Sequence, residues 1–247
     1  MFTNRWLILC FSLLCTSYVN AETSEQWQFA ITPVLWNASV EANLTGNDTG
    51  GQPIKPDYTF FSLENLDAYL SLQFEAKYGR FSLLFDSLRA RYQDDIANRF
   101  SKISVGSELG FIELTAAYKL FDRHKLDLLG GVRKTFLDMD ISLVPNNTNL
   151  LPSPGKESSS SWTDPLIGLR YNYSLTDNWQ LWLRGDVGGF GVGTQRTINA
   201  LANIQYIFNK YVSLTAGYRY LQIDFKEEDV LNDVKLEGVY LGVGIHF

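Results

Sequence analysis

In several segments of this chain of 247 residues, polar or charged residues occupy every second position and apolar residues occupy the positions between them. The acids and bases at these polar positions are nearly equal in number. We therefore expect them to pair with one another rather than to form an ion-selective ring of charges of one sign. The acids are Asp67, Glu75, Asp86, Glu113, Asp127, Asp164 and Asp186, and the bases are Lys77, Lys119, Arg133, Arg170, Arg184 and Arg219.

A subset of these charges is predicted to form one ion-paired cluster. Arginine suits such a cluster because its planar guanidinium can hold two carboxylate oxygens at once. Gly185, Gly188 and Gly217 leave room beside the arginines. The cluster either plugs an enclosed interior or lines a small water channel or gate, and the sequence leaves both open. Its predicted members are Asp86, Glu113, Asp164, Arg170, Arg184, Asp186 and Arg219.

β-Strands position these charges, because apolar and polar residues alternate with a period of two. For example, Leu72 and Phe74 alternate with Gln73 and Glu75. One face of each strand is therefore apolar and the other polar. Ten strands are predicted, at about 27–42, 65–78, 81–92, 108–121, 125–138, 162–174, 179–189, 195–208, 211–225 and 234–247.

The predicted connections alternate between short turns and longer loops. The turns lie at 79–80, 122–124, 175–178 and 209–210, and the loops at 43–64, 93–107, 139–161, 190–194 and 226–233. Four of the five loops are clearly longer than the turns. This asymmetry is typical of bacterial outer-membrane barrels, which have short periplasmic turns and longer external loops. An even number of strands places both termini on the periplasmic side.

Aromatic residues of the apolar face concentrate near the strand ends, as in the girdles that flank the apolar band of membrane barrels. A soluble β-sandwich also alternates, but it does not sort its loops and turns to opposite ends. An apolar outer face also argues against a soluble lipocalin-like carrier. The girdle residues are Trp27, Phe29, Tyr78, Phe81, Tyr118, Tyr173, Trp179, Tyr206, Phe208, Tyr211 and Phe247 at the turn end, and Phe136, Trp162, Tyr220 and Phe225 at the loop end.

We therefore predict an all-β fold, a transmembrane antiparallel up-and-down β-barrel of about ten strands. The sheet must close because lipid offers no hydrogen-bond partner to an open strand edge. Pro33 cannot donate to the ladder, so it is expected to mark a bulge or an unpaired point in the first strand.

The N-terminus has the pattern of an export signal. Arg5 precedes the apolar run 6–14, which is too short to span a bilayer as a helix, and Val19-Asn20-Ala21 fits a small-x-small cleavage site. The predicted division is a signal peptide at 1–21 and a barrel domain at 22–247. Both cysteines precede the cleavage point, which excludes a disulfide or a thiolate metal site from the mature chain.

Nothing in the sequence favours catalysis, a cofactor, a metal or a nucleic acid. The formal net charge of −6 opposes nucleic-acid binding. His124 and His246 fall on the predicted periplasmic side, away from the external rim where barrel hydrolases place a histidine base. Asp94 and Asp95 lie in a predicted loop without a histidine. No helix follows the glycine-rich run 188–193, so we interpret it as an external hairpin whose glycines take positive φ rather than as a phosphate-binding loop.

Three stretches carry a family resemblance: Trp-Thr-Asp-Pro-Leu-Ile-Gly-Leu-Arg at 162–170, Asp-Val-Gly-Gly-Phe-Gly-Val-Gly at 186–193 and Gly-Tyr-Arg-Tyr-Leu at 217–221. Together they resemble a widespread group of Gram-negative outer-membrane β-barrel proteins of unassigned function, best over 162–247. Phe247, preceded by apolar residues at alternate positions, resembles the assembly signal that the barrel assembly machinery recognises. The resemblance implies a fold and a location but no reaction.

We expect a non-catalytic integral outer-membrane protein, either structural or a small passive channel with an ion-paired lumen. The alternative is a surface interaction or adhesion protein that acts through the loops 43–64 and 139–161. The expected partners are outer-membrane lipid and lipopolysaccharide, the barrel assembly machinery and periplasmic chaperones.

Overall fold

The computed structural model describes residues 26–44, 66–97, 101–121, 125–145, 153–225 and 231–247. Ten antiparallel strands form a closed barrel in which each strand pairs with its neighbours in sequence and β1 pairs with β10. The predicted fold class is confirmed. The strands are β1 Gln28–Leu44, β2 Leu66–Tyr78, β3 Phe81–Ala97, β4 Ser101–Phe121, β5 Leu126–Pro145, β6 Ser153–Ser174, β7 Trp179–Gly188, β8 Arg196–Ile207, β9 Val212–Asp224 and β10 Leu231–His246.

Strands β3 to β6 run further toward the loop end than predicted. The expected loop 93–107 is almost entirely strand, with Asp94 opposite Val105, so Asp94 and Asp95 lie in β3 and not in a loop. Likewise, Ile141 of β5 pairs with Lys156 of β6 inside the expected loop 139–161. The prediction was wrong here because it relied on apolar alternation, whereas the ladder is held by backbone hydrogen bonds that polar segments make equally well.

The tight turns are closed by local hydrogen bonds. Thr176 Oγ1 accepts from the backbone N–H of Trp179 at 3.1 Å, and Asn209 Oδ1 accepts from that of Tyr211 at 2.8 Å. Gly79 takes a φ of +57°, which glycine adopts without steric cost. The predicted turn 122–124, with His124, lies outside the described residues.

The outer wall of the barrel is apolar. Exposed side chains on six of the strands include Leu83, Ile112, Val132, Ile167, Leu214 and Val243. The aromatic residues predicted at the turn end border this belt, and their rings pack in a row around it: Trp27 on Tyr78, Phe81 on Tyr118, and Trp179 on Tyr206. The apolar wall, the girdle and the closed sheet make the protein an outer-membrane β-barrel.

The part of the chain that the structure describes contains no helix long and apolar enough to cross a membrane.

Toward the loop end the polarity of the two faces reverses. Arg89 and Arg91 lie exposed on the outer wall and share Glu108 at 2.6 and 2.7 Å. The interior at this level is instead an apolar core, formed by Val34, Trp36, Leu88, Leu109, Phe111, Leu201, Leu221, Ile223, Phe225, Val234, Leu236 and Tyr240. The barrel therefore continues beyond the lipid-facing belt with a polar outside and an apolar filling.

Trp162 and Phe225 belong to this interior and not to an outer girdle. Phe225 is buried in the core, Trp162 packs against the core, and their ring centroids lie 4.6 Å apart. The prediction placed both residues in the loop-end girdle because it assumed that aromatic residues near strand ends face lipid. Here their rings join β6 to the residue that follows β9.

Pro33 lies where the wall changes its pairing. The ladder between β1 and β10 is interrupted after Ile31 and resumes at Val34 in the same register, so within the described residues Pro33 has no ladder partner in β10. Pro33 is also the last residue of β1 that pairs with β2, opposite Leu72. The structure thus has the unpaired point expected at Pro33 rather than a bulge.

Candidate functional site in the barrel lumen

Four charged residues meet at the centre of the lumen, where inward-facing side chains of β4, β5 and β7 come together. The Arg133 guanidinium donates to Glu113 Oε2 at 2.6 Å and to Asp186 Oδ1 at 2.8 Å. Arg184 donates to the other oxygen of Glu113 and, at 2.9 Å, to Asp186 Oδ2. Two arginines and two carboxylates therefore form a closed ring of charge-assisted hydrogen bonds.

A second pair is joined to this ring through an amide. Asn199 donates to Asp186 Oδ2 at 2.6 Å and accepts from Arg219 Nε at 3.1 Å. Arg219 in turn donates to Asp86 Oδ2 at 2.8 Å. We call these seven residues the central network: Asp86, Glu113, Arg133, Arg184, Asp186, Asn199 and Arg219.

The apolar core lies directly against the central network. The Arg219 guanidinium carbon lies 4.6 Å from the ring centroid of Phe111 and 5.3 Å from that of Trp36. Cations pack favourably against aromatic faces, and more so when both are desolvated. Arg219 thus joins two layers in series, one of ion pairs and one of apolar side chains.

Two predicted cluster members lie elsewhere. Arg170 forms a separate group nearer the turn end, where it donates to Asp127 Oδ2 at 2.8 Å and to Glu75 Oε1 at 3.0 Å. Asp164 instead accepts from the backbone N–H and the hydroxyl of Thr194, both at 2.8 Å. Strand parity established that these side chains face inward, but not their height in the barrel, and height decides which charges meet.

Asp164 holds the glycine-rich loop between β7 and β8. Gly189 and Gly191 take φ of +88° and +73°, as expected for this hairpin, and Phe190 between them takes +49°. Gly193 is needed for a different reason, the lack of space for a side chain: a Cβ there would lie 2.6 Å from Asp164 Oδ1. The loop is therefore anchored in the lumen by Asp164 and Thr194.

Sequence reasoning missed Asn199 as the link between the two ion pairs. A lone asparagine on the polar face has no feature that distinguishes it from other amides. Arg133, Glu75 and Asp127 were on the inward parity but outside the predicted cluster. The side chains of Asp67, Asp94 and Asp95 lie outside the part of the chain whose side chains the structure describes.

A water-accessible cavity of about 950 Å³ lies between the central network and the turn end. Asp86 and Arg184 line its inner end, and Arg80, Lys125 and Tyr211 lie at its mouth among the turns and strand ends. We call this cavity the vestibule. By the usual orientation of such barrels, it opens to the periplasm.

Residues 150–247 match the family described as "YfaZ precursor". The matched region contains Asp164, Arg170, Arg184, Asp186, Asn199 and Arg219, but neither Glu113 nor Arg133. The YfaZ precursor match thus contains four of the seven residues of the central network, Arg184, Asp186, Asn199 and Arg219. A search of curated proteins gave no match.

Similar solved structures are outer-membrane barrels of low sequence identity. The translocator domain of the autotransporter NalP from Neisseria meningitidis is 14% identical, with 92% of this chain and 90% of that chain covered and a TM-score of 0.48. The outer-membrane protease OmpT from Escherichia coli is 9% identical, with 91% and 98% covered and a TM-score of 0.47. Ail, the attachment invasion locus protein of Yersinia pestis, is 11% identical, with 90% and 99% covered and a TM-score of 0.40.

One serine–histidine contact lies near the C-terminus, where the sequence did not suggest one. Ser213 Oγ lies 2.8 Å from His246 Nε2 and also accepts from the Gln205 amide at 2.8 Å. Ser213 has no solvent-exposed surface. A nucleophile must reach its substrate, whereas this contact is buried at Ser213 and fastens β9 to β10. Among the described residues, no group of histidine, cysteine and carboxylate side chains could hold a metal ion.

Proposed function

We propose that this protein is a non-catalytic outer-membrane barrel whose lumen is closed by two layers in series, the central network and the apolar core. The observation that carries the proposal is the burial of Arg133 and Glu113, whose side chains are 0% and 1% exposed. Ions crossing the membrane would need a hydrated path, and charges that line such a path remain exposed to water. The protein would then serve as a sealed scaffold and not as an open pore.

The test is conductance in planar lipid bilayers. Refolded wild-type barrel is expected to give no unitary conductance. Arg184→Ala is expected to destabilise the barrel in urea because Glu113 and Asp186 lose a partner, yet to remain closed because the apolar core is intact. Adding Trp36→Ala and Phe111→Ala to Arg184→Ala removes both layers and is expected to produce conductance steps.

Two results would contradict this proposal. Steady conductance of the wild-type barrel would make it a channel whose lining is hydrated. A triple variant that folds, as judged by heat-modifiable gel migration, and still does not conduct would locate the seal elsewhere. Arg196→Ala is the control, since Arg196 is 58% exposed and pairs with Asp224 outside both layers.

A second candidate role is surface interaction at the loop end. It is favoured by the extension of β3 to β6 beyond the lipid-facing belt, which would hold external connections on a rigid support. The loop 43–64 of this hypothesis lies almost entirely outside the described residues. Replacing 147–151 by a short Gly-Ser linker should abolish binding to host cells or envelope components without changing conductance, and unchanged binding would exclude this segment.

A further inference from the structure

The vestibule has an excess of positive charge. Its lining includes seven basic side chains and three acidic ones, together with the terminal Phe247. Two of the charged side chains, Arg184 and Asp86, belong to the central network, which holds three arginines and three carboxylates and is neutral as a unit. The remaining basic side chains therefore outnumber the remaining acids.

The two acids that remain are shared among several bases. Glu75 and Asp127 both accept hydrogen bonds from Arg170 and also attract Lys77, so the lining as a whole keeps its excess of basic side chains. Lys77 and Lys119 both line the vestibule, and their charges repel one another. Clefts of one sign with low-dielectric walls concentrate field lines and raise the local concentration of counter-ions. An oxyanion entering the vestibule would relieve that repulsion.

The vestibule also offers groups that suit a hydroxylated molecule. Amides of Asn172, Gln180 and Asn203 line its wall, and the indole of Trp182 lies beside them with one face against Arg170 at 5.3 Å. Amides donate to and accept from hydroxyl groups, and an aromatic ring packs against the apolar face of a sugar. A volume of about 950 Å³ is within the range of small-molecule pockets.

We propose that the vestibule is a binding site for a small periplasmic solute that carries a phosphate or carboxylate on a hydroxylated body. Lys77 and Lys119 would hold the oxyanion, while the amides and Trp182 would contact the rest of the molecule. Binding of the solute does not depend on a closed lumen, because the vestibule lies on the turn side of the central network. Only the inference that the solute is bound and not transported rests on the closed lumen proposed above.

The test is equilibrium binding to the refolded barrel in detergent, with glucose 6-phosphate, glucuronate and neutral glucose as probes. Both anions are expected to bind saturably at one site per barrel, more weakly as salt is raised, whereas glucose is not. Tighter binding of one anion identifies phosphate or carboxylate as the natural group. Lys77→Gln combined with Lys119→Gln should weaken anion binding by about tenfold or more.

Lys134→Gln is the matched control, because Lys134 is an exposed lysine on the outer wall. It should leave anion affinity unchanged. Neither lysine of the double variant belongs to the central network, so that variant should keep the heat-modifiable migration of the folded barrel. Failure of both anions to bind saturably would overturn the proposal, as would equal affinity in the wild type and the folded double variant.

Discussion

Arg133 is the residue on which the central network depends most. Its side chain has no exposed surface, and its guanidinium joins carboxylates from β4 and β7. Burying an ion pair does not by itself stabilise a protein, because desolvation offsets the attraction between the charges. Removing one partner is harmful for a different reason, since the other charges remain buried without compensation. Arg133 shares Glu113 and Asp186 with Arg184, but of the two arginines only Arg133 has a side chain with no exposed surface.

Arg133→Ala is expected to lower the free energy of unfolding by about 3–5 kcal/mol, because Glu113 and Asp186 lose a buried partner. Arg196→Ala should cost less than about 1 kcal/mol, since water screens the exposed pair of Arg196 with Asp224. Urea titration of both variants in detergent measures the difference. Equal small losses would mean that water reaches Arg133 in the folded barrel.

At the scale of the elements, the contact of β1 with β10 closes the barrel. Phe29 and Phe247 exchange backbone hydrogen bonds of 2.9 and 3.0 Å, and their rings stack with centroids 5.6 Å apart. Phe247 is therefore both the last residue of the wall and a member of the turn-end girdle. β1 needs this partner because its pairing with β2 extends only from Gln28 to Pro33.

Deletion of Phe247 is expected to lower the fraction of protein assembled in the outer membrane. The deletion removes two closing hydrogen bonds and the terminal aromatic residue that is predicted to act as the assembly signal. The measurement is the heat-modifiable fraction in membranes from expressing cells. Phe208→Ala is the control, since Phe208 is another exposed aromatic residue of the same girdle. If both variants assemble to the same extent, Phe247 has no special part in assembly.

For the whole molecule, the decisive feature is that lipid-facing and lumen-facing side chains alternate around a closed wall. In β3, Leu83 is 46% exposed on the outer wall, whereas its neighbour Ser82 is 9% exposed and faces the vestibule. Adjacent residues of a strand thus face different surroundings, lipid on the outer wall and water or protein on the inner wall. The reversed polarity at the loop end limits the lipid-facing belt to the turn-side part of the barrel.

Single cysteines at these two positions test the alternation, because the predicted mature chain has no cysteine of its own. A fluorescent label on Leu83→Cys should be quenched by brominated lipid, and a label on Ser82→Cys should not. A water-soluble quencher should act more strongly at Ser82→Cys. Equal quenching by lipid at both positions would place the belt elsewhere or contradict the inward direction of Ser82.

Much of the architecture is determined by local pattern. A period of two assigns each strand residue to one face whatever its partners are, so the inward direction of Glu113, Arg184 and Arg219 could be predicted without coordinates. Turns such as 79–80 and 209–210 were also predictable, because glycine and asparagine have local reasons to be there. The number of alternating segments predicts about ten strands, and closure of the sheet follows from the requirement that lipid imposes on backbone hydrogen bonds.

The height of each side chain in the lumen, and therefore its partner, was decided only by the tertiary structure. Register and strand tilt bring Arg133 to Glu113 and Asp186, but leave Arg170 with Glu75 and Asp127 and Asp164 with Thr194. The same is true of the reversal that puts Trp162 and Phe225 inside. Alternation along one strand does not show where the lipid-facing belt ends, because the edge of that belt is set by all ten strands together.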